Sequence, residues 1–207
     1  GKIFVYKKEE QKIKGNKVSD METEVALFHS AKKEAISQLK ELQEASVKKI
    51  GETTASIFEV HQMMLEDTSF VESIENMIRE QEMNVSVAVA VTAAKYSQMF
   101  EEMEDAYMRE RSLDVKDISE QLLSILNGDV TSEIKVEDSV IVVAQDLAPS
   151  ETVRLDKDKV KAFVTVDGSV YSHTAILART MNIPALVHTT VDLEEIQGKQ
   201  GIVDGFD

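Results

Sequence analysis

The residues best placed to do chemistry are a histidine and an arginine that follow a strand-like run and a turn. Residues 162–166 are apolar and rich in β-branched side chains, as in a buried strand, and residues 167–169 have turn composition. From Thr174 onwards the apolar spacing is helical. His173 therefore stands at the start of a predicted helix, and Arg179 lies six residues further along it.

A histidine in this position is suited to carry a phosphoryl group. A helix N-terminus bears about half a positive charge and several unpaired N–H donors, so it can bind phosphate. The same field favours a neutral imidazole, whose nitrogen lone pair can attack phosphorus. Ser172 and Arg179 are then available to stabilise the phosphate oxygens. From spacing alone, one alternative stays open: His173 caps the helix, and Arg179 forms a surface ion pair.

The residues around His173 resemble the phosphohistidine motif of the phosphoenolpyruvate (PEP)-utilising enzymes. That motif usually reads Gly-Gly-x-Thr-Ser-His-x-Ala-Ile-x-Ala-Arg, and residues 172–179 read SHTAILAR. Residues 146–152, DLAPSET, resemble the Asp-Leu-Thr-Pro-Ser-x-Thr segment of enzyme I of the bacterial phosphotransferase system. Residues 57–67, 104–111 and 114–118 fit the same family in the same order. The resemblance covers nearly the whole chain and corresponds to the N-terminal half of enzyme I.

This resemblance implies a reaction and a set of supporting residues. In enzyme I, PEP phosphorylates the histidine that matches His173, and the group passes to a histidine of the phosphocarrier protein HPr in the first step of sugar uptake. Thr152 lies 21 residues before His173 and matches the threonine whose hydroxyl contacts the active imidazole. From the sequence alone, one alternative stays open: Thr152 is a helix N-cap after Pro149-Ser150, a role that is compatible with the first. Ser172 and Arg179 are the other supporting residues.

The resemblance also implies a surface that binds HPr. In enzyme I a pair of helices forms this surface, and the matching residues here are His61, Met63, Met64 and Leu65, with Arg111 on a neighbouring helix. Taken alone, His61 is more typical of a packing histidine, and the methionines are nearly as well explained by a core role. His29 and His188 belong to no motif and are expected to be structural or surface residues.

The motif departs from the family pattern at three positions. Ser169 replaces the second glycine, Val170 replaces a cation, and Tyr171 replaces a threonine. The nucleophile is retained, but these changes bear on the efficiency of transfer and on the partner. Two alternatives follow: a swivelling domain from a dikinase or PEP synthase, which the helical segment argues against, and a non-catalytic docking module with a degenerate motif.

Composition limits the remaining possibilities. The 207 residues include no cysteine, which excludes disulfides and thiolate metal sites, and the formal net charge of −15 disfavours nucleic acid. No apolar run reaches the ~20 residues of a membrane span, so we expect a cytoplasmic protein. No metal-ligand spacing or nucleotide-binding loop is present, so we expect no cofactor or metal site here. In enzyme I, PEP and Mg²⁺ bind a C-terminal barrel that this chain lacks. We therefore expect a fragment of a protein that dimerises at full length.

The chain changes its hydrophobic period near Asn127. Before that point it is predicted to form a strand at 3–6, a turn at Gly15-Asn16, and helices with caps at Ser19 or Asp20 and at Asn84. The predicted helices cover 20–50, 55–66, 69–81, 84–107 and 113–126. After Asn127 the pattern alternates between strand and helix, with strands at 139–144, 162–166, 185–187 and 201–203, and a short helix at 155–160.

The first strand has no partner among helices, so we expect it to pair in the later sheet. The predicted fold is an α/β phosphohistidine (swivelling) domain, residues 1–18 and 128–207, with an inserted all-α helical bundle, residues 19–127, that binds HPr.

Overall fold

The structure is a computed structural model that describes residues 1–8, 13, 18, 20–129, 136, 138–156 and 158–204. The chain divides into two compact units. One comprises Gly1–Glu9, Ser46–Thr54 and Ser132–Asp207, and the other comprises Glu10–Ala45 and Ala55–Thr131. Residues 46–54, which the prediction assigns to the helical domain, group with the first unit. The domain boundaries stay a prediction. The predicted turn at Gly15-Asn16 and the alternative cap Ser19 lie outside the described residues.

Helices follow one another between residues 20 and 129, and most of them lie where the apolar period predicts. They are α1 (Met21–Ile50), α2 (Glu52–Ala55), α3 (Ile57–Glu66), α4 (Thr68–Gln81), α5 (Val85–Glu101), α6 (Ala106–Arg109) and α7 (Arg111–Asn127). Asp20 caps α1, since its carboxylate accepts the N–H groups of Glu22 and Thr23.

The valine-rich run after Asn84 forms a helix, as predicted, despite its strand-like alternation. Asn84 caps α5 by accepting the N–H of Val87 at 2.9 Å. The helix packs against α4 and α7 and buries residues over about half of its circumference. Burial therefore outweighs the low helix propensity of valine.

The predicted extension of this helix to Tyr107 is wrong. α5 ends at Glu101, and the shorter helix α6 begins after Asp105. The Asp105 carboxylate accepts the N–H of Met108 at 3.0 Å, which starts the new helix with a side-chain cap.

The α/β unit is built on a four-stranded sheet in which all described strands are parallel. The strands are β1 (Lys2–Tyr6), β2 (Val140–Ala144), β3 (Val160–Thr165) and β4 (Ala185–Leu186), in that order across the sheet. The predicted return of the first strand to the later sheet is confirmed, because Lys2–Tyr6 pairs in register with Val140–Ala144. The intervening helices are thus an insertion between two adjacent strands.

Both faces of the sheet are covered by apolar side chains, as a parallel sheet requires. On one face, Val142 and Phe163 pack with Leu147 and with Ala178 of α9 (His173–Met181). The other face packs against the segment that contains α10 (Leu193–Ile196), and its buried strand residues are Val5, Ile141, Val143, Ala162 and Val164.

Two sequence predictions in this unit are wrong. The short helix lies at α8 (Pro149–Thr152) and not at 155–160, because proline suits the first turn of a helix and Val160 is already taken into β3. Residues 201–203 do not form a strand. The chain there runs irregularly beside β1, with a single antiparallel bridge between Lys2 and Gln200.

Candidate functional site

The carboxyl ends of the parallel strands meet at one edge of the sheet, where the predicted chemistry lies. Tyr6 ends β1, the segment containing α8 follows β2, and the turn leading to α9 follows β3. In open α/β sheets ligands bind outside this edge, because loops from several strands converge there.

His173 is the first residue of α9 and is half-buried. The residue before it, Ser172, is the N-cap, and its Oγ accepts the N–H of Ala175 at 3.3 Å. The alternative in which His173 itself caps the helix is therefore wrong. The first-turn N–H groups of a helix have no partner within the helix, so the imidazole stands beside amide donors that can bind an anion.

The turn before α9 brings the chain tightly back towards Ser172. Gly168 has a φ of +89°, and a Cβ on it would lie 3.4 Å from both Cβ and Oγ of Ser172. Ser169, in contrast, has no left-handed backbone; its Oγ accepts the N–H of Tyr171 at 3.1 Å. The departure from glycine at position 169 therefore costs no backbone strain.

Two further departures from the family motif point outward. Val170 is 51% exposed and Tyr171 is 54% exposed. Both immediately precede the cap of α9, so they form part of the surface around His173. At this surface the chain offers an apolar side chain and a phenol where the motif of the family has a cation and a threonine.

Thr152 is the last residue of α8, and α8 lies against α9. Its buried hydroxyl donates to the carbonyl oxygen of Pro149 at 2.9 Å and approaches that of Ala148 at 3.2 Å. The N-cap of α8 is Ala148, so the alternative role of Thr152 as a cap is wrong. Its contact with the imidazole of His173 stays a prediction.

Arg179 lies on the second turn of α9 and is exposed. Six residues of helix place it about 9 Å along the axis from His173 and about 120° around it. Long side chains on a helix point back towards its N-terminus, which directs the guanidinium towards the His173 end.

The predicted partner-binding residues of the helical unit divide into exposed and buried ones. Met63 is 65% exposed and Met64 is half-buried, whereas His61 and Leu65 are fully buried. Of these four residues, only the methionines present their side chains at the surface. The role of His61 and Leu65 in partner binding stays a prediction.

His61 lies between two aspartates of α7. Its Nε2 is 3.3 Å from Oδ1 of Asp114, and its Nδ1 is 3.8 Å from Oδ2 of Asp117. Neither ring nitrogen finds a hydrogen bond of good geometry among the described residues, so these contacts are mainly electrostatic. All three side chains are buried.

Arg111 joins this buried cluster to the surface. Its guanidinium donates to Oδ2 of Asp114 at 2.8 Å, lies 4.5 Å above the ring of Tyr107 and also contacts the Tyr107 hydroxyl. Partial burial acts to lower the pKa of Arg111, but the hydrogen bond and charge of Asp114 raise it overall. Arg111 therefore keeps its charge and connects α7 to Tyr107 of α6.

Among the described residues, no group of three or more His, Asp or Glu side chains is arranged to hold a metal ion. None of the described helices combines the length and the apolarity needed to cross a membrane.

Comparison with known proteins decides the family. Residues 1–111 match the family model described as PEP-utilising enzyme, N-terminal, and residues 136–207 match the one described as PEP-utilising enzyme, mobile domain. The chain belongs to the PEP-utilising enzyme family. The second of these matches begins just before β2, the strand with which the chain returns to the sheet.

Curated members of this family resemble the chain over its whole length. It is 36% identical over 208 residues to a phosphoenolpyruvate-protein phosphotransferase of Priestia megaterium, covering 100% of this chain and 36% of the relative. It is 34% identical over 212 residues to the protein of that name from Mycoplasma capricolum, covering 98% of this chain and 37% of the relative. The chain thus spans little more than a third of the length of these relatives.

Solved structures of the family share the fold. A solution structure of an enzyme I protein matches with a TM-score of 0.72 and 32% identity, over 96% of this chain and 82% of that one. A structure described as the N-terminal domain of Enzyme 1 – Nitrogen matches with a TM-score of 0.63 at 21% identity, over 100% of this chain and 85% of that one. The second likeness concerns the fold alone.

One cluster at the carboxyl edge of the sheet was not predicted from the sequence. The buried carboxylate of Glu151 accepts from the hydroxyl of Tyr6 at 3.0 Å and contacts Nζ of Lys8 at 3.1 Å. Its other oxygen accepts the N–H of Ala148 at 2.8 Å. A glutamate three residues after a helix start is a capping pattern visible in the sequence, but its partner Tyr6 lies 145 residues away.

Proposed function

We propose that this chain carries a phosphoryl group on His173 and exchanges it with a histidine of HPr. The position of His173 carries the proposal: a half-buried imidazole at the first residue of α9, at the carboxyl edge of a parallel sheet. The match of residues 136–207 to the mobile domain of PEP-utilising enzymes supports it. So do the names of the relatives, which are phosphoenolpyruvate-protein phosphotransferases.

In the whole protein, PEP supplies the phosphoryl group and HPr receives it, which is the first step of sugar uptake by the phosphotransferase system. PEP and Mg²⁺ bind a C-terminal domain that corresponds to the part of the relatives this chain does not span. The described residues offer no metal cluster, so no step on this chain is assigned to the ion. The full-length protein is proposed to be a cytoplasmic homodimer.

The transfer itself is a displacement at phosphorus. A lone pair on one ring nitrogen of His173 forms a bond to phosphorus, and the P–N bond of phospho-HPr breaks with its electron pair returning to the nitrogen of HPr. The other nitrogen of His173 keeps its proton throughout. Phosphoryl transfer passes through a loose transition state, which is stabilised mainly by positioning and by charge. The first-turn amides, Ser172 and Arg179 supply both.

The hydroxyl of Thr152 can act only as a hydrogen-bond acceptor towards His173 in this scheme. Because its hydroxyl proton is donated to the Pro149 carbonyl, only its lone pairs are available to a neighbouring imidazole. Thr152 therefore accepts the N–H of His173 and fixes which ring nitrogen carries the lone pair. This direction of the hydrogen bond supports the role that the family resemblance gives to Thr152.

We further propose that residues 19–127 form the HPr-binding domain and that residues 1–18 with 128–207 form the phosphohistidine, or swivelling, domain. The exposed side chain of Met63 supports direct contact with HPr, since flexible thioethers adapt to a partner surface. His61 and Leu65 support that surface from beneath by fixing α3 against α7, and Arg111 holds the Asp114 carboxylate that faces His61.

Two phosphoryl donors test the proposal on the chain as it stands. Incubation with phospho-HPr should add one acid-labile phosphate, seen by intact-protein mass spectrometry at neutral pH, whereas incubation with PEP and Mg²⁺ should add none. No label from phospho-HPr would overturn the proposal and favour a non-catalytic docking module. Label from PEP alone would show that the chain contains its own PEP site.

A further inference from the structure

The Glu151 cluster connects the first strand of the sheet to the segment before Thr152. Glu151 Oε1 binds Tyr6 at the end of β1, and Oε2 binds the backbone N–H of Ala148 at the start of α8. The Glu151 side chain is only 8% exposed. A charge so deeply buried is retained only where it is paired and hydrogen-bonded, and here it has a phenol, an ammonium group and an amide as partners.

The same segment is held from its other side by the helix that contains His173. The hydroxyl of Thr174 donates to the carbonyl oxygen of Leu147 at 3.3 Å, and both groups are buried. Residues 147–152 are thus fixed at two points, one on β1 and one on the residue next to His173. The place of Thr152 relative to the imidazole depends on both.

We propose that Glu151 and Tyr6 are positioning residues for His173. Through the Ala148 amide they fix α8, and with it the hydroxyl of Thr152, in the place from which it orients the imidazole. This inference rests on the proposed function of His173 as phosphoryl carrier. It assigns a role in that function to Tyr6, a residue at the far end of the sequence that belongs to no motif.

Tyr6→Phe tests the inference with the least disturbance, because it removes one hydroxyl and leaves the ring, the carboxylate and the Ala148 bond in place. Glu151→Gln removes the charge and keeps the shape. Tyr96→Phe is the matched control: Tyr96 is half-buried, and its hydroxyl lies 3.3 Å from Ser73 in the helical unit. All three are compared in the chain as it exists, at a temperature where each is folded.

Two readouts separate positioning from a purely structural role. In transfer from phospho-HPr, Tyr6→Phe and Glu151→Gln should lower kcat about tenfold with KM unchanged, because misplacing a catalytic contact by a fraction of an ångström slows the chemical step. In long-range ¹H–¹⁵N spectra of the unphosphorylated chain, the ratio of the two His173 ring tautomers should shift in both variants. Tyr96→Phe should change neither.

The tautomer measurement needs no phosphoryl donor, so it stands even if the wild-type chain accepts no phosphate. That latter result would overturn the proposed function and leave the tautomer readout to decide this inference. Unchanged tautomer ratios in both variants would overturn the inference. It would also be overturned if both variants lost stability but kept the kcat of the wild-type chain.

Discussion

The hydroxyl of Thr174 donates to the carbonyl oxygen of Leu147, and this bond joins the helix of His173 to the segment that contains Thr152. Thr174 directly follows the proposed phosphoryl carrier, and Leu147 packs in the core of the sheet. The site is therefore assembled from two connections, one after β2 and one after β3, which a hydrogen bond joins at the residue next to His173.

Replacing Thr174 with valine keeps the shape of the side chain and removes this bond. The buried carbonyl of Leu147 then loses its donor, so we expect the free energy of unfolding to fall by about 1–3 kcal/mol. Urea denaturation measures the change. The control is Thr180→Val on the exposed side of the same helix, where the loss should stay within about 0.5 kcal/mol. Equal losses in the two variants would contradict the argument.

Gly168 is required at its position by both conformation and space. Its φ is +89°, and an added Cβ would lie 3.4 Å from the side chain of Ser172. Gly128 has a φ of +74° with open space around it, so Gly128→Ala isolates the conformational cost, about 1 kcal/mol. Gly168→Ala should cost at least as much stability and should also slow phosphoryl transfer, because the cap of α9 moves. If the two variants transfer at the same rate, Gly168 does not position the site.

Tyr6 makes the stability of the α/β unit sensitive to high pH. Burial, the charge of Glu151 and the hydrogen bond to it raise the pKa of Tyr6 in the folded protein. An unfolded tyrosine ionises near about pH 10, so stabilisation from the protonated phenol is fully present below that pH and is lost as the pH rises beyond it. The stability advantage of wild type over Tyr6→Phe should therefore shrink between about pH 9 and about pH 11 in urea denaturation. An advantage that grows over this range would contradict the assigned direction.

The buried cluster around His61 should dominate the stability of the α3–α7 contact. Asp114→Asn removes a buried charge that faces both His61 and Arg111, and breaking such a pair costs about 3–5 kcal/mol. Asp129→Asn, on an exposed residue just after α7, is the control and should change stability by less than about 0.5 kcal/mol. Denaturant unfolding followed by circular dichroism distinguishes the two variants. A small effect of Asp114→Asn would show that the buried charges of the cluster contribute little to stability.

Restoring a cation beside His173 should favour the phosphorylated state. Val170→Arg places a guanidinium on an exposed position next to the cap of α9, where a charge-assisted hydrogen bond to phosphate is worth about 1 kcal/mol, or about fivefold in the exchange equilibrium with phospho-HPr. Leu27→Arg, an exposed position in the helical unit, adds the same charge elsewhere and should have little effect. If both variants shifted the exchange equilibrium equally, the gain would come from general electrostatic attraction and not from a local contact with the phosphate.

Features set by local sequence were predictable. Caps at Asp20 and Asn84 and the helical spacing after Thr174 fixed helix starts, and the isolated first strand implied pairing with the later sheet. The strand-like alternation after Asn84 did not decide the structure, since a helix with one well-buried face tolerates valine. Family resemblance then placed the phosphoryl chemistry on His173.

Features set by distant partners were not predictable. The bond between Tyr6 and Glu151 spans 145 residues of sequence, and no local pattern encodes it. Residues 201–203 have strand composition, but Ile202 is 96% exposed and the segment makes only irregular contacts with β1. The burial of His61 between two aspartates also depends on a helix 50 residues later, so the sequence alone left its role open between packing and partner contact.

The most direct test of the central claim is to locate the phosphate on the protein. After exchange with phospho-HPr, long-range ¹H–¹⁵N and ³¹P NMR at neutral to alkaline pH should show a single phosphorylated imidazole, assigned to His173 by its disappearance in His173→Ala. Retention of the label in His173→Ala, or its assignment to His29, His61 or His188, would contradict the account.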